Sequence, residues 1–423
     1  MYDCLVATES GLIQRRALPI VETALDESRV VLVQGARQAG KSTLVRMIAD
    51  ARPDAVIRTL DDLDLLRAAH EDPKGFVERG GLLVIDEVQR APELLLAVKQ
   101  DVDADPRPGR FLLTGSSRVL AMKGVPDSLP GRMQTVELWP FSQGEIDGSA
   151  DGFVETVFRE GVDVRHDSDL SRADYAERVL RGGFPEAVAR RTAASRRRFL
   201  TGYLDTLLER EIAEIAEVQR LAELRSLVGL LAARSGGLLV PGNLASELQM
   251  SANTVGRYVS LLEEIFVIKR IPAWSRNLST RIVGTAKVAF VDSALAATVL
   301  GEDQESLLEP TSAAFGPLLE GFVASEVMRQ LSRSELPVEL RHYRTRDQVE
   351  VDLVLEHARG RVVGLEVKAA ATIRAEDFRG LRHLADRLGD DFVAGIVLYA
   401  GRETLSFGGR LLAMPVSALW GVG

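Results

Sequence analysis

The chain has 423 residues, a length that favours about three domains. Hydrophobic residues make up 46% and charged residues 27%, which is typical of a folded protein and excludes a disordered chain. Cys4 is the only cysteine, which excludes an intrachain disulfide and a cysteine-based metal site. The formal net charge of -9 argues against nonspecific coating of nucleic acid. No apolar run is long enough to span a bilayer and the start lacks a signal-peptide pattern, so we expect a cytoplasmic protein.

The segment from about residue 30 to 143 alternates short apolar runs with helical stretches, which predicts a doubly wound α/β domain. Each apolar run is followed by a polar turn, as expected of buried parallel strands. Five such strands predict a RecA-like sheet. The expected strands are 30–34, 55–60, 81–86, 110–115 and 134–138.

A phosphate-binding loop is predicted directly after the first of these strands, in the pattern Gly35-x-x-x-x-Gly40-Lys41-Ser42. Glycines let backbone N–H groups close around a phosphate, and the following helix adds a partial positive charge at its N-terminus. We expect Lys41 to reach the β- and γ-phosphates of ATP and Ser42 to hold Mg²⁺. The residues expected to bind ATP are Gly35, Ala36, Arg37, Gln38, Ala39, Gly40, Lys41, Ser42 and Thr43.

Two carboxylates, Asp86 and Glu87, follow the apolar run 82–85. They are expected at the carboxyl edge of the sheet, where ligands of such folds bind. We expect Asp86 to hold or orient Mg²⁺ and Glu87 to polarise the attacking water as a general base. The alternative is that Glu87 caps the short helix that follows it.

The next expected strand, 110–115, leads into hydroxyl side chains. Thr114 or Ser116 is expected near the γ-phosphate and the attacking water. Arg132 is the candidate for stabilising charge in the transition state, within the chain or across a subunit boundary, and Arg118 competes with it for that role. An exposed surface position is the alternative for Arg132.

Six motifs together resemble a known family: GARQAGKST, LLVIDEVQRAPELL, FLLTGSS, LPGRM, ELWPFS and RGGFPEA. The chain is similar to the AAA-type ATP-binding proteins of bacteria and archaea that carry a C-terminal domain of unknown function. The resemblance covers roughly residues 15 to 415. It implies ATP binding and hydrolysis and supplies no settled cellular role.

Composition and periodicity divide the rest of the chain. Residues 145–170 are rich in Gly, Asp and Ser, which predicts an irregular connection, and helical periodicity dominates from about 174 to 234. We expect four parts: an ATPase core at 1–150, a helical lid or linker at 151–225, a winged-helix-like unit at 226–290 and a C-terminal α/β nuclease-like domain at 291–423.

The segment 243–261 has helix-turn-helix spacing, with Ser251 expected to cap the second helix. Between residues 234 and 290 seven Lys or Arg face three Glu, a balance of +4, and the basic strands that include Lys287 would form a wing. DNA is therefore the candidate partner of this unit. The alternative is a unit that only braces its neighbour. The residues expected to reach DNA are Asn253, Thr254 and Arg257.

Near the C-terminus, two alternating segments predict a hairpin centred on Arg359. This register places Asp352 opposite Glu366, with Cβ atoms about 4.5 to 5.5 Å apart. Two carboxylates this close repel each other unless a cation lies between them, which predicts a Mg²⁺ or Mn²⁺ site. Lys368, on the same face, would orient a water or stabilise charge on a phosphate. The alternative is a solvated, ion-paired sheet face.

This D…ExK pattern resembles the PD-(D/E)xK nuclease fold, and Glu320 or Glu326 would supply the acid that the fold carries on its first helix. We therefore expect an ATPase that couples nucleotide state to a DNA-binding, nuclease-like module, with ATP, Mg²⁺ and DNA as ligands. The alternative is an ATP-gated interaction switch whose nuclease-like domain is inactive and docks a protein partner. The oligomeric state stays open.

Overall fold

The computed structural model describes residues 7–8, 11–116, 131–211, 221–277 and 284–423. The chain forms two compact units. The first comprises Met1–Pro140 with Glu264–Phe266, and the second comprises Phe141–Glu263 with Val267–Gly423. The finer division into four parts stays a prediction. No helix within the described ranges is long and apolar enough to cross a membrane.

The first unit is built on a five-stranded sheet in the order β4-β5-β6-β3-β7, with all neighbouring strands parallel. Its strands follow the short pair β1 (Ala7–Thr8) and β2 (Gly11–Leu12), and they are β3 (Val30–Gln34), β4 (Val56–Thr59), β5 (Leu83–Asp86), β6 (Phe111–Gly115) and β7 (Met133–Glu137). The α-helices are Leu18–Glu27, Lys41–Asp50, Leu63–Glu71, Pro73–Val77 and Leu94–Ala104, with a 3₁₀ turn at Val88–Arg90. The predicted α/β sheet is confirmed, with strand ends that differ by one or two residues.

Both faces of the three central strands, β5, β6 and β3, are buried, because these strands are apolar at successive positions. On one face, Val31 and Val33 of β3 pack in the same cluster as Leu44 of the helix that follows the loop. On the other face, Val30 and Leu32 pack with residues of Leu94–Ala104. The two cores hold β3 rigidly, so the loop after Gln34 starts from a fixed point at the carboxyl edge.

The second unit begins with a helical region. The prediction of an irregular connection at 145–170 is wrong, because Phe153–Glu160 is a helix whose apolar side chains, among them Phe153 and Val157, are fully buried. The Gly, Asp and Ser residues that suggested a loop lie between short helices and at their ends. The helices are Gln143–Asp147, Phe153–Glu160, Arg172–Arg181, Pro185–Val188, Ala193–Thr206, Leu221–Ala233, Pro241–Leu248 and Ala252–Glu264.

The last two of these helices match the predicted spacing, and Ser251 Oγ accepts a hydrogen bond from Thr254 N at 3.1 Å, as expected of a cap. The antiparallel pair β8 (Ile268–Ile271) and β9 (Lys287–Phe290) follows. Lys287 is only 1% exposed, so its assignment to a basic wing surface is wrong. The winged-helix-like character of this region stays a prediction.

A six-stranded mixed sheet forms the C-terminal part, in the order β10-β11-β12-β13-β15-β14. Leu353 lies opposite Leu365 in the β11–β12 hairpin, which confirms the register centred on Arg359. The strands are β10 (Val338–Arg344), β11 (Glu350–His357), β12 (Val362–Lys368), β13 (Phe392–Tyr399), β14 (Leu405–Ser406) and β15 (Leu411–Pro415). The helices are Ser293–Leu300, Gln304–Leu308, Phe315–Leu331, Arg379–Leu388 and Ala418–Gly421.

Candidate functional site

The predicted phosphate loop connects β3 to the helix Lys41–Asp50. Gly40 has a φ of 96°, a left-handed conformation that side chains disfavour, and Gln38 adopts a φ of 57° despite its side chain. A Cβ on Gly35 would lie 2.0 Å from the carbonyl oxygen of Leu138, so only glycine fits there. These constraints produce a curved loop directly before a helix N-terminus, the geometry that surrounds an anion with N–H groups.

Lys41 is the first residue of that helix and is almost fully buried. Its Nζ donates to the carbonyl oxygens of Gly35 at 3.0 Å and Ala36 at 2.9 Å. A second cation under the loop, Arg15, was not identified from the sequence. Its Nη1 donates to Ala39 O at 3.0 Å. Two buried cations therefore hold the carbonyl groups of the loop.

Asp86 ends β5 next to the loop, as predicted. Ser42 Oγ donates to Asp86 Oδ1 at 3.3 Å, and Thr114 Oγ1 donates to the same oxygen. Burial raises the pKa of Asp86, the hydrogen bonds from Thr114 and Ser42 oppose that shift, and the adjacent Glu87 adds to it. A hydroxyl and a carboxylate oxygen thus meet at the edge of the sheet, and both are ligand types that Mg²⁺ prefers.

Glu87 has a φ of 61° and stands before the 3₁₀ turn Val88–Arg90. Its side chain makes no capping hydrogen bond, which excludes the capping alternative for the carboxylate. Instead, Glu87 Oε2 accepts hydrogen bonds from Gln89 Nε2 and, at 3.1 Å, from Ser116 Oγ. Its backbone N donates to Thr114 Oγ1 at 3.0 Å. Gln89 was missed because an amide carries no charge pattern of its own.

Arg132 is not brought to this site. It precedes β7, and its carbonyl accepts from Val30 N at the amino edge of the sheet, opposite the phosphate loop. Its guanidinium pairs with Asp103, with Nε and Oδ1 2.5 Å apart. Parallel strands place their two ends on opposite edges, so Arg132 cannot serve the loop of its own chain. The competing Arg118 lies outside the described residues.

The loop, Lys41 and the Ser42–Asp86 pair fit a nucleoside triphosphate with Mg²⁺. The fit rests on the curved glycine loop, on a buried ammonium beside it, and on two oxygen ligands within hydrogen-bond distance of each other. Of the other predicted loop residues, Arg37 and Gln38 are exposed and Thr43 is partly buried. The elements therefore bring Lys41, Ser42, Asp86, Glu87 and Thr114 together.

A second cluster of charges lies in the other unit, centred on Lys287 Nζ at the start of β9. The ammonium nitrogen lies 2.7 Å from Glu320 Oε1, 2.8 Å from Glu350 Oε1 and 3.1 Å from Asp352 Oδ1. A cation was predicted beside Asp352, and the structure places a lysine there. The sequence pattern missed it because Lys287 is 65 residues away from Asp352 along the chain.

The carboxylates determine the protonation of this cluster. Burial alone would lower the pKa of Lys287, but Asp352, Glu320 and Glu350 outweigh it and raise that pKa, so the ammonium stays charged. Burial and the nearby Asp352 raise the pKa of Glu320 to about 8, against the opposing effect of Lys287. Glu320 therefore retains a proton at neutral pH while Lys287 neutralises the other carboxylates.

Asp352 and Glu366 meet where the β11–β12 ladder ends. Asp352 Oδ2 accepts from Val367 N at 3.0 Å, and Glu366 Oε2 accepts from Asp352 N at 3.4 Å, so the two side chains replace backbone pairing. Burial and the neighbouring Asp352 raise the pKa of Glu366 to about 7. Lys368 Nζ pairs with Glu366 Oε1 at 3.0 Å. The predicted trio is together, and each member has a protein partner.

The two candidate helix acids lie in different surroundings. Glu320 joins the cluster, whereas Glu326 is fully buried elsewhere and pairs with Arg329. Among the described residues, no group of three or more His, Cys, Asp or Glu side chains has an arrangement that could hold a metal ion. In the expected Mg²⁺ or Mn²⁺ site, all four carboxylate oxygens of Asp352 and Glu366 have protein partners, which are Lys287, Lys368 and two backbone N–H groups.

The residues predicted to reach DNA lie on the helix Ala252–Glu264. Asn253 and Arg257 are exposed, and Thr254 is partly buried with its Oγ1 2.8 Å from Ser251 Oγ. In the strand pair that follows, Arg270 is bound to Glu263, with Nε and Oε2 2.7 Å apart. The local excess of positive charge is thus smaller at the surface than the residue count suggested.

Comparison with known proteins finds family models that match three parts of the chain. Residues 27–147 match the model described as an AAA domain, and residues 172–306 and 315–419 match two domains of unknown function, DUF8612 and DUF4143. The first unit is thus a P-loop ATPase domain of the AAA type, and the chain carries a C-terminal domain of unknown function. The resemblance drawn from the motifs is confirmed to this extent.

Two uncharacterized proteins, from Mycobacterium tuberculosis and Mycobacterium bovis, are each 29% identical over 412 residues, which cover 96% of this chain and 85% of theirs. Among solved structures, a Walker-type ATPase of Pyrococcus abyssi is 16% identical and covers 69% of this chain and 97% of its own, with a TM-score of 0.42. The Thermotoga maritima RuvB Holliday junction branch migration motor is 22% identical, covers 62% and 90%, and gives a TM-score of 0.28.

Proposed function

We propose that the chain is a nucleotide-gated interaction switch, in which ATP binding and hydrolysis by the first unit control the docking of a protein partner on the C-terminal domain. The observation that carries this proposal is Lys287, whose buried ammonium already pairs with Asp352 Oδ1, one of the oxygens that a catalytic metal ion would need. The C-terminal domain then keeps a nuclease-like arrangement of Glu320, Asp352, Glu366 and Lys368 without the metal chemistry of a nuclease.

In the ATPase step, the loop N–H groups and Lys41 bind and orient the β- and γ-phosphates. Lys41 exchanges its hydrogen bonds to Gly35 and Ala36 for phosphate oxygens, which present a stronger negative charge. Ser42 and Asp86 would hold Mg²⁺, which would supply charge neutralisation on the transferred phosphoryl group. Glu87 accepts the proton of the attacking water, and Thr114 fixes the backbone that carries Glu87.

The closed cluster disfavours metal-dependent cleavage on energetic grounds. A divalent ion could bind Asp352 only if the ammonium of Lys287 moved away, which would leave a charged amine in a buried position or force it into solvent. The side chains of Asp352, Glu350 and Glu320 hold the ammonium through charge-assisted contacts of 3.1, 2.8 and 2.7 Å. A domain neutralised by its own lysine is suited to contacts with another protein, and the acidic net charge of the chain is compatible with that partner class.

DNA cleavage is the second candidate function, and one specific observation favours it. The hairpin register brings Asp352 and Glu366 together with Lys368 on a neighbouring position of β12, and Glu320 joins them from a helix. These are the positions that the PD-(D/E)xK resemblance requires. In that function, the exposed Asn253 and Arg257 would contact the DNA backbone or bases.

ATP binding and turnover test the first half of the proposal. Lys41→Ala should lose most affinity for Mg-ATP, and Glu87→Gln should bind Mg-ATP with normal affinity but hydrolyse it about 10²- to 10⁴-fold more slowly. Binding is measured by equilibrium titration with a fluorescent ATP analogue, and turnover by phosphate release. An exposed charge outside the site provides the control, Glu71→Gln, for which both values should match the wild type.

Cleavage and capture assays separate the two functions of the C-terminal domain. We expect no cleavage of single- or double-stranded DNA by the wild type with Mg²⁺ or Mn²⁺, with or without ATP. A protein partner should be retained by Glu87→Gln in ATP and released by Lys41→Ala, and Glu366→Ala should abolish its capture. Metal-dependent cleavage by the wild type that Glu366→Ala removes would instead establish the nuclease.

A further inference from the structure

Arg15 links two distant parts of the ATPase unit. It lies just before the helix Leu18–Glu27 and is only 6% exposed. Its Nη1 donates to Ala39 O at 3.0 Å and its Nη2 to Trp139 O at 2.6 Å. Ala39 belongs to the phosphate loop, and Trp139 follows the last strand of the sheet. One planar guanidinium therefore joins the loop to a segment about one hundred residues further along the chain.

The loop end of this link is a position where a hydrogen-bond donor is needed. A loop that turns its N–H groups towards a phosphate directs carbonyl groups elsewhere, and buried carbonyls require donors. Ala39 lies between Gln38 and Gly40, the two left-handed positions of the loop. Lys41 serves the first carbonyls of the loop, but its ammonium is the group that nucleotide phosphates attract. Arg15 Nη1 donates to Ala39 O, so this carbonyl has a donor that does not come from Lys41.

The other end of the link lies where the chain leaves the ATPase unit. Trp139 directly precedes Pro140, the last residue of the continuous part of this unit. The preceding residue, Leu138, is also tied to the loop strand, because its N donates to Gln34 O at 2.7 Å. Its carbonyl oxygen lies only 2.0 Å from the position that a Cβ of Gly35 would take. The exit segment 138–140 is therefore fixed to both ends of the phosphate loop.

We propose that Arg15 is a positioning residue that shapes the phosphate loop for ATP and transmits nucleotide occupancy from Ala39 to Trp139. This inference rests on the proposed nucleotide gating and names the chain segment through which the gate acts. The two bonds share one rigid guanidinium, so a shift of Ala39 O on phosphate binding changes the direction of the group that holds Trp139 O. Trp139 is 7% exposed as a residue, and the fluorescence of its indole is then a built-in reporter of ATP.

Three variants test the link. Arg15→Met removes both hydrogen bonds at similar length, Arg15→Lys keeps the charge but loses the fork, and Arg16→Met changes the exposed neighbouring arginine as a matched control. The measurements are the KM for Mg-ATP, kcat, and the change in tryptophan fluorescence on adding Mg-ATP. A Trp139→Phe variant identifies the part of the signal that comes from Trp139.

We expect Arg15→Met to raise the KM about tenfold or more, the scale of a lost charge-assisted hydrogen bond, and to abolish the Trp139 signal at saturating ATP. Arg15→Lys should have a KM close to that of the wild type but only a minor part of the Trp139 signal. An arginine with a purely structural role would change the KM and the signal together. Arg16→Met should match the wild type. Thermal melting of each variant without nucleotide checks its fold, and Arg15→Lys carries the test if Arg15→Met does not fold.

The outcomes distinguish this inference from the function it rests on. Absence of ATP binding by the wild type would overturn the proposed function. Normal ATP binding by the wild type together with a full Trp139 signal in folded Arg15→Lys would overturn the inference alone. A wild-type signal that survives in Trp139→Phe would show that occupancy does not reach Trp139, which also overturns it.

Discussion

Glu87 combines an unusual backbone with a fixed side chain. Its φ of 61° lies in the left-handed region, and such strain persists at a residue with a side chain only where surrounding contacts impose it. Thr114 binds its backbone N, and Gln89 and Ser116 bind its carboxylate. The three contacts hold the carboxylate at a defined place beside Asp86. Strain and positioning together support the role of Glu87 as the base for water.

Gln89 and Ser116 should therefore affect the chemical step and leave ATP binding unchanged. We expect Gln89→Ala to lower kcat about tenfold with the KM for Mg-ATP within about twofold of the wild type, because the base loses its orientation and the phosphate loop is untouched. Steady-state phosphate release measures both constants. The exposed Gln100→Ala is the matched control.

A double variant checks the mechanism of that effect. If Gln89 acts only through Glu87, then Glu87→Gln combined with Gln89→Ala should be no slower than Glu87→Gln alone. Additive losses would mean that Gln89 acts on the reaction independently of Glu87. A tenfold rise in KM for Gln89→Ala would place it in ATP binding instead.

At the scale of elements, the local sequence pattern predicted the strands of the ATPase sheet well. It did not predict which side chains pair across distant elements. The strand starting at Val30, the loop and the hairpin centred on Arg359 were predictable because each depends on residues close in sequence. Lys287 was not, because its partners come from another strand and a helix. Arg132 was misplaced for a related reason: a sequence motif does not say at which edge of a sheet its residue lies.

The same limit applied to the choice between Glu320 and Glu326, which are six residues apart on the helix Phe315–Leu331. Their spacing puts them on different faces, and only the packed structure decides which face meets β9 and β11. The irregular connection predicted at 145–170 failed differently. Glycine and aspartate are common at helix ends as well as in loops, so composition over a long window hid the helix Phe153–Glu160.

Lys287, at the start of β9, should stabilise the C-terminal cluster of acidic side chains through its positive charge. We expect Lys287→Met to destabilise the protein by about 3 to 5 kcal/mol, because the buried Asp352 and the partly buried Glu350 lose their cation. We also expect Mn²⁺ to raise the melting temperature of Lys287→Met by several degrees more than that of the wild type, since a divalent ion can then neutralise Asp352 and its neighbours. Thermal melts with and without Mn²⁺ measure both effects.

The control for this experiment is Lys74→Met, which removes an exposed lysine of the other unit and should melt like the wild type with and without Mn²⁺. The reading of Lys287 as the resident cation fails if Mn²⁺ stabilises the wild type as much as Lys287→Met. Lys287→Arg separates the effect of the positive charge from the effect of side-chain shape. This variant should keep most of the stability, and its melting temperature should not respond to Mn²⁺.

Some of the acidic residues that give the molecule its negative net charge are buried in the second unit. Arg329 lies between two fully buried carboxylates, Asp292 and Glu326, with Nη2 3.0 Å from Asp292 Oδ2. Burial raises the pKa of Asp292, and burial raises the pKa of Glu326 to about 7 although Arg329 opposes it. One guanidinium cannot neutralise two carboxylates, so Glu326 is partly protonated in the folded state near neutral pH.

This protonation predicts that stability falls as pH rises. The folded pKa of Glu326 is raised above its unfolded value, so the folded state holds more protons than the unfolded state. Its contribution is fully present at low pH and is lost as pH rises through about 7. Glu320 also lowers the stability of the folded state as pH rises, since its pKa is raised to about 8. The lowered pKa of His342 acts in the opposite direction, but only below the ordinary histidine range. The useful window is therefore pH 6.5 to 8.

Within that window we expect the wild type to lose stability towards pH 8 and Glu326→Gln to lose on the order of 1 kcal/mol less, because glutamine cannot release a proton. Urea unfolding at pH 6.5 and pH 8, followed by circular dichroism, measures the difference. The exposed Glu335→Gln should keep the wild-type slope. An equal pH slope in Glu326→Gln and the wild type would mean that Glu326 is already ionised beside Arg329, and the protonated carboxyl would then have to be assigned to other buried acids of the unit.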